Sequence, residues 1–170
     1  MVALKSTIAA FALALLGFPA PRAQAQFVAA NGPGRSAMKL DAVSYLFPEQ
    51  VSLPAGKSAP VALHFRIAPG LHINSHTPSA DYLIGTTFSI PAGEGARLAR
   101  ASYPAGTEIT LPADPKMRLN VYTGDFVIDA RLVAAPGNHL VQGKLHYQAC
   151  DQIQCMPPKT IGVSIDVIGR

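Results

Sequence analysis

Two thiols carry the clearest chemical possibility in this sequence. Cys150 and Cys155 are its only cysteines, and four residues separate them in His146-Tyr147-Gln148-Ala149-Cys150-Asp151-Gln152-Ile153-Gln154-Cys155-Met156-Pro157-Pro158. Two cysteines permit a single bridge and a single connectivity. That bridge would close a loop of about six residues, worth only ~2 kcal/mol in the chain-entropy model against ~4.7 for a hundred-residue loop. A staple so weak suits a bond that is made and broken, because opening it need not unfold the domain. Exchange further requires a sulfur that an incoming thiolate can reach in line. A structural bridge remains the alternative, since spacing alone does not decide. The pattern is not the helix-borne C-x-x-C in which a helix N-terminus lowers one thiol's pKa.

Other reactive side chains suggest less. His72 and His76 have a His-x3-His spacing that would ligate metal on a helix, but Pro69-Gly70 and Pro78 flank them. They read as ordinary polar loop residues. Copper held by the two thiolates with Met156 or a histidine is a lesser alternative, and no cofactor or metal is expected. His146 lies four residues before Cys150, about 13 Å along a strand, too far to activate that thiol. Asp81, Asp125 and Asp151 form no paired-carboxylate arrangement. No glycine-rich phosphate loop and no Ser/His/Asp signature occurs.

Where the chain is delivered decides the redox state of the pair. Residues 1–25 have the layout of a secretory signal: Lys5, an apolar run from Ile8 to Phe18, and Ala23-Gln24-Ala25 as a small-x-small cleavage site. The run is about eleven residues, short of the ~20 needed to span a bilayer. No cysteine follows the cleavage site, so no lipoprotein anchor is expected. Cleavage near Ala25 would remove Lys5 and Arg22, leaving 12 basic residues against 10 acidic ones. A net charge of +2 is too small and scattered to suggest nucleic acid or an anionic membrane surface as partner. Export implies an oxidising compartment, where paired thiols tend to oxidise.

The elements that must position the pair read as strands. Residues 26–40, with Asn31-Gly32-Pro33-Gly34, show no periodicity and read as a flexible leader. From Asp41 onward apolar residues alternate: Val43, Tyr45 and Phe47; then Val61, Leu63, Phe65 and Ile67; then a shorter segment at Thr86–Ile90. Phe126, Ile128, Ala130 and Leu132 follow, then Leu145, Tyr147 and Ala149, and finally Ile161, Val163, Ile165 and Val167. The 14 Gly and 15 Pro act as punctuation between them, and no window shows a 3.6 period. The pattern predicts one all-β domain over 41–170: an antiparallel, immunoglobulin-like β-sandwich of seven to nine strands. The two alternating segments around the cysteines predict a hairpin with a cysteine at each lip.

Three stretches resemble a known family. Tyr147 through Lys159 is similar to the Tyr-Gln-x-Cys…Cys-x-Pro-Pro hairpin of the N-terminal periplasmic domain of DsbD, the thiol:disulfide interchange protein. Asn120-Val121-Tyr122-Thr123-Gly124-Asp125-Phe126 resembles that family's cap loop, and Gly70-Leu71-His72-Ile73-Asn74-Ser75 a recurrent turn. The resemblance implies an immunoglobulin-like fold and a protein-disulfide reductase or interchange component. Cys150 and Cys155 would be its redox pair, Cys155 attacking and Cys150 resolving. It implies Tyr122, with Val121, as a lid over the cysteines, and Tyr147, Gln148 and Pro157 as the pocket behind them. Thioredoxin-like periplasmic oxidoreductases are the implied partners, with a separate membrane electron transporter as a second. The chain would act as a monomer in reducing traffic of the kind that serves cytochrome c biogenesis. The competing expectation is a non-catalytic immunoglobulin-like binding module with a structural bridge. DsbD itself has one more residue between its cysteines.

Overall fold

The computed structural model describes residues 41–46, 50–112 and 114–170. The expected signal segment, the leader and Phe47 lie outside these. The described residues form twelve strands and no helix. In order they are β1 (Val43–Tyr45), β2 (Gln50–Leu53), β3 (Ser58–Ile67), β4 (His72–Asn74), β5 (Thr87–Ser89) and β6 (Ala96–Ser102). Then come β7 (Thr107–Leu111), β8 (Asp114–Tyr122), β9 (Asp125–Ala134), β10 (Gly137–Tyr147), β11 (Ala149–Cys150) and β12 (Lys159–Gly169). The immunoglobulin-like, all-β expectation holds; the strand count exceeds the seven to nine expected.

Two sheets make the sandwich, in the orders β1-β3-β9-β6 and β2-β12-β10-β5. Period-two patterning sends alternate side chains to one face, and that face is the core. Val61, Leu63, Phe65 and Ile67 of β3 and Phe126, Ile128, Ala130 and Leu132 of β9 meet Val141, Leu145 and Tyr147 of β10 and Val163, Ile165 and Val167 of β12 in one buried cluster. Phe65 is fully buried within it, with its ring centroid 5.1 Å from Phe126 and 5.4 Å from Tyr45. β10 and β12 pair antiparallel over their whole lengths, from Gly137 opposite Gly169 to Tyr147 opposite Lys159. This is the hairpin expected around the cysteines. One pair departs from the antiparallel rule: β2 runs parallel to the end of β12.

A third sheet, β11-β4-β8-β7, was not foreseen. Its strands lack clean alternation. β4 is buried throughout, and β7 is mostly exposed. β8 ends in Val121 and Tyr122, adjacent residues that are both buried. The segment expected as a cap loop is therefore the end of β8, a Thr123-Gly124 turn and the start of β9. Gly124 makes that turn with a φ of 61°, a conformation costly to any residue bearing a Cβ.

Truncating Phe65 to Ala should cost about 3–5 kcal/mol, because it removes a fully buried aromatic that two other rings contact. Leu140→Ser, on the outward face of β10, should stay within about 0.5 kcal/mol. Urea unfolding of both variants beside the parent checks the contrast.

Candidate functional site

The site is built where the chain changes sheets. Tyr147 is the last residue of β10, Gln148 interrupts the ladder, and Ala149 and Cys150 join β4 of the third sheet. Cys150 stands directly opposite His72 there, and Ala149 opposite Ile73. The chain then turns sharply. Asp151 Oδ1 accepts the backbone N–H groups of Ile153 at 2.7 Å and Gln154 at 2.8 Å. The Asp151 N–H donates to the Gln154 carbonyl at 3.0 Å, closing the turn. Such an Asx turn suits a short polar side chain that can satisfy the backbone two residues on. Cys155 returns beside Cys150 as an isolated antiparallel bridge, and the Met156 N–H donates to the Ala149 carbonyl at 2.8 Å.

Cys150 and Cys155 form a disulfide, with their Cα atoms 3.9 Å apart. The two halves differ in exposure. Cys150 is 1% exposed, whereas Cys155 is exposed and follows a tip on which Ile153 is 87% exposed. The Cys155 side of the bond is therefore the side toward solvent.

Gln148 braces the loop from behind. Its Nε2 donates to the Met156 carbonyl at 3.2 Å, and its Oε1 accepts from Asn74 Nδ2 at 3.4 Å. Tyr147 is 1% exposed and packs in the core, where burial pushes its phenol pKa up. Pro157 lies with Leu71, Met156 and Pro158 around an apolar cavity of about 470 Å³ beside the disulfide. A second cavity of about 620 Å³ runs from His72 and Gln152 to Ile109 and Leu111 of β7, with Arg66 and Asp125 on its rim. Arg66 and Asp125 hold each other in a two-bond pair at 2.7 and 2.8 Å; this raises the Arg66 pKa and lowers that of Asp125.

Val121 and Tyr122 stand elsewhere. Val121 is fully buried opposite Asn74, and Tyr122 lies opposite Ile73, two strands from Ala149. The Tyr122 ring stacks on Phe126 at 5.1 Å, and its hydroxyl accepts from the His76 N–H and donates to the Pro104 carbonyl. Tyr122, which the resemblance implies as a lid, is here buried, with both its ring and its hydroxyl engaged. The histidines also differ from expectation. His76 is exposed and stacks on Tyr103, but His72 is a buried strand residue rather than a polar loop residue. Among the described residues no group of three His, Cys, Asp or Glu side chains could hold a metal ion. His146 lies on the outer part of β10, bonded to Thr160.

An all-β, immunoglobulin-like domain presenting one half-buried disulfide on a braced loop falls in the class of thiol-disulfide interchange modules. The family model for the N-terminal part of the thiol:disulfide interchange protein DsbD matches residues 42–166, and the chain belongs to that family. Among solved structures it is similar to the N-terminal domain of DsbD from Neisseria meningitidis in its reduced form. That match has 22% identity and a TM-score of 0.46, and covers 68% of this chain and 82% of that one. It is also similar to the N-terminal periplasmic domain of ScsB from Proteus mirabilis, with 13% identity and a TM-score of 0.51 over 68% of this chain and 43% of that one. The second likeness supports the fold. No curated protein sequence matches the chain.

The Asp151 carboxylate is held below the 3.8 of a free aspartate, first by the Gln154 N–H and then by the Ile153 N–H. A depressed folded pKa means that these bonds stabilise the loop at every pH above 3.8 and are lost as the pH falls through the folded value. Amide proton shifts of Ile153 and Gln154 should therefore titrate together with a midpoint below 3.8. A midpoint at or above that value would rule out the turn as drawn.

Proposed function

We propose that the chain is a periplasmic thiol-disulfide exchange module, passing reducing equivalents through the Cys150–Cys155 pair to or from thioredoxin-like oxidoreductases. The observation that carries this is the asymmetry of the bond: one sulfur carrier is buried, the other is exposed on a loop with its own backbone hydrogen bonds. In the reduced domain, the Cys155 thiolate attacks a client disulfide and expels one client thiolate, giving a mixed disulfide. Cys150 then attacks Cys155 Sγ, the mixed disulfide breaks, and the second client thiolate leaves with its electron pair. The client disulfide gains two electrons and the domain dithiol loses them, so no further reductant enters the step.

Tyr147, Gln148 and Pro157 shape the surface behind the sulfurs on this reading. Val121 and Tyr122 act indirectly, by fixing the segment around Asn74 and His76 that backs β4. The signal segment delivers the domain to the periplasm, where a separate membrane electron transporter would recharge it and the domain would work as a monomer.

Equilibration against glutathione and dithiothreitol buffers should place the pair at about −200 to −260 mV, with the fold intact on reduction. A bridge that resists both buffers, or a domain that unfolds when it opens, would leave a structural staple instead. In the reduced domain iodoacetamide should modify Cys155 well before Cys150, read by mass spectrometry of the digested protein. A Cys150→Ala variant should accumulate the mixed disulfide with a client, and Cys155→Ala should not.

A further inference from the structure

Resolution of the mixed disulfide poses a problem that the buried position of Cys150 creates. Its sulfur must attack as a thiolate, yet burial in apolar surroundings raises a thiol's pKa above the ordinary ~8.5 and keeps it protonated. A proton acceptor has to stand beside it. His72 occupies the directly opposed position on β4, so the two side chains share one face of the sheet with Cβ atoms about 5 Å apart. The imidazole is 5% exposed, and its Nε2 is buried without a hydrogen-bond partner among the described residues. Buried polar atoms are rarely left so, and the exceptions call for a reason.

We infer that His72 is the proton acceptor for Cys150, taking the thiol proton as Cys150 Sγ attacks Cys155 Sγ, with the Asp151 carboxylate steadying the imidazolium that forms. This rests on the exchange function proposed above and assigns its second step. The Cys150 S–H bond breaks as the proton moves to His72, the Cys150–Cys155 bond forms, and the client sulfur leaves with the electron pair of the broken mixed disulfide. The imidazolium then returns its proton to solvent or to the departing thiolate.

The charged groups around the ring come from three elements. Asp151 acts on the ring from the cysteine loop; Arg66 of β3 and Asp125 of β9 line the same cavity as His72 and pair with each other. Burial lowers the His72 pKa from 6.5 and Asp151 offsets part of that, so the ring is neutral near pH 7 and ready to accept a proton. The same carboxylate is held ionised by the loop's own N–H groups. The flanking Pro69-Gly70 and Pro78 suggest a loop at His72, whereas its pairing with Cys150, far along the chain, makes it a strand residue.

The test uses the reduced domain and an aromatic disulfide, dithiobis(nitrobenzoate), in stopped flow. Release of the first thionitrobenzoate reports attack by Cys155, and release of the second reports resolution by Cys150. In His72→Gln the first phase should stay within about twofold, while the second slows at least about tenfold at pH 7, a modest share of what general bases contribute. The parent's second phase should level off above an inflection at or below 6.5, whereas the variant's keeps rising with thiol ionisation until the two converge above about pH 9. Asp151→Asn, which keeps the turn's accepting oxygen, should move the parent's inflection to lower pH. An unchanged second phase in His72→Gln, a loss by the same factor at every pH, or an unmoved inflection in Asp151→Asn would overturn the assignment. A parent that releases no second thiolate would overturn the exchange function itself, and the role of His72 with it.

Discussion

Everything at this site depends on one interruption in a ladder. β10 follows β12 without a break from Gly137 to Tyr147, and at Gln148 the pairing stops. Had the ladder run on, Cys150 would lie in the sandwich sheet, facing the continuation of β12, where Pro157 and Pro158 lack the N–H groups a central strand requires. Instead Ala149 and Cys150 pair with β4, and the chain between Gln148 and Pro158 is free to fold back on itself. Gln148 stabilises the break by using its side chain where its strand partners would have been, bonding the Met156 carbonyl and meeting Asn74. The switch thus delivers a buried cysteine against a buried histidine and leaves the second cysteine outside.

Energetics separate the site from the fold. The sandwich core draws on four long strands and buries Phe65, Leu63, Ile128, Leu132, Leu145 and Ile165 to 1% exposure or less. Each such side chain contributes about 1.5–3 kcal/mol by burial. Against this, a bridge over six residues is worth ~2 kcal/mol. The core therefore outweighs the bridge, which on the exchange function proposed can open without unfolding the domain. Surface ion pairs such as Arg66–Asp125 add little to either, since both partners are more than half exposed.

The sandwich was legible in the sequence because β3, β9, β10 and β12 are long and bury one face, so their alternation is regular. Val61 to Ile67 and Phe126 to Leu132 fall on the core face as expected. The third sheet was not legible for the opposite reason. β4 is three residues long and buried on both faces, β7 is mostly exposed, and β8 opens with Asp114-Pro115-Lys116 before it reaches Leu119. None of these has a period to detect. The cysteine pair announced itself by being the only one, and the Asp151 turn lay within it. His72 did not, because its significance lies in a pairing between segments far apart in the chain. Tyr122 could not be placed from local sequence either. An aromatic before a Thr-Gly turn resembles a lid in local sequence, and only the packing of Phe126 and the His76 and Pro104 backbone against it makes it a core ring.

A pair that cycles must keep its sulfurs in reach when no bond joins them, and here the backbone does so. The Met156 N–H to Ala149 bond, the Asp151 N–H to Gln154 bond and the two N–H groups on the Asp151 carboxylate all close the same loop that the disulfide closes. None of them needs the S–S bond to exist. Because the loop is held from both sides, opening the disulfide releases little chain entropy, and the two thiols stay at a high effective concentration. The balance between oxidised and reduced forms then rests less on loop closure than on how well each thiolate is accommodated. That is a question of burial and charge at Cys150, and of solvent at Cys155. On the exchange function proposed, the asymmetry that decides which sulfur is attacked is the same asymmetry that sets how readily the pair is oxidised or reduced.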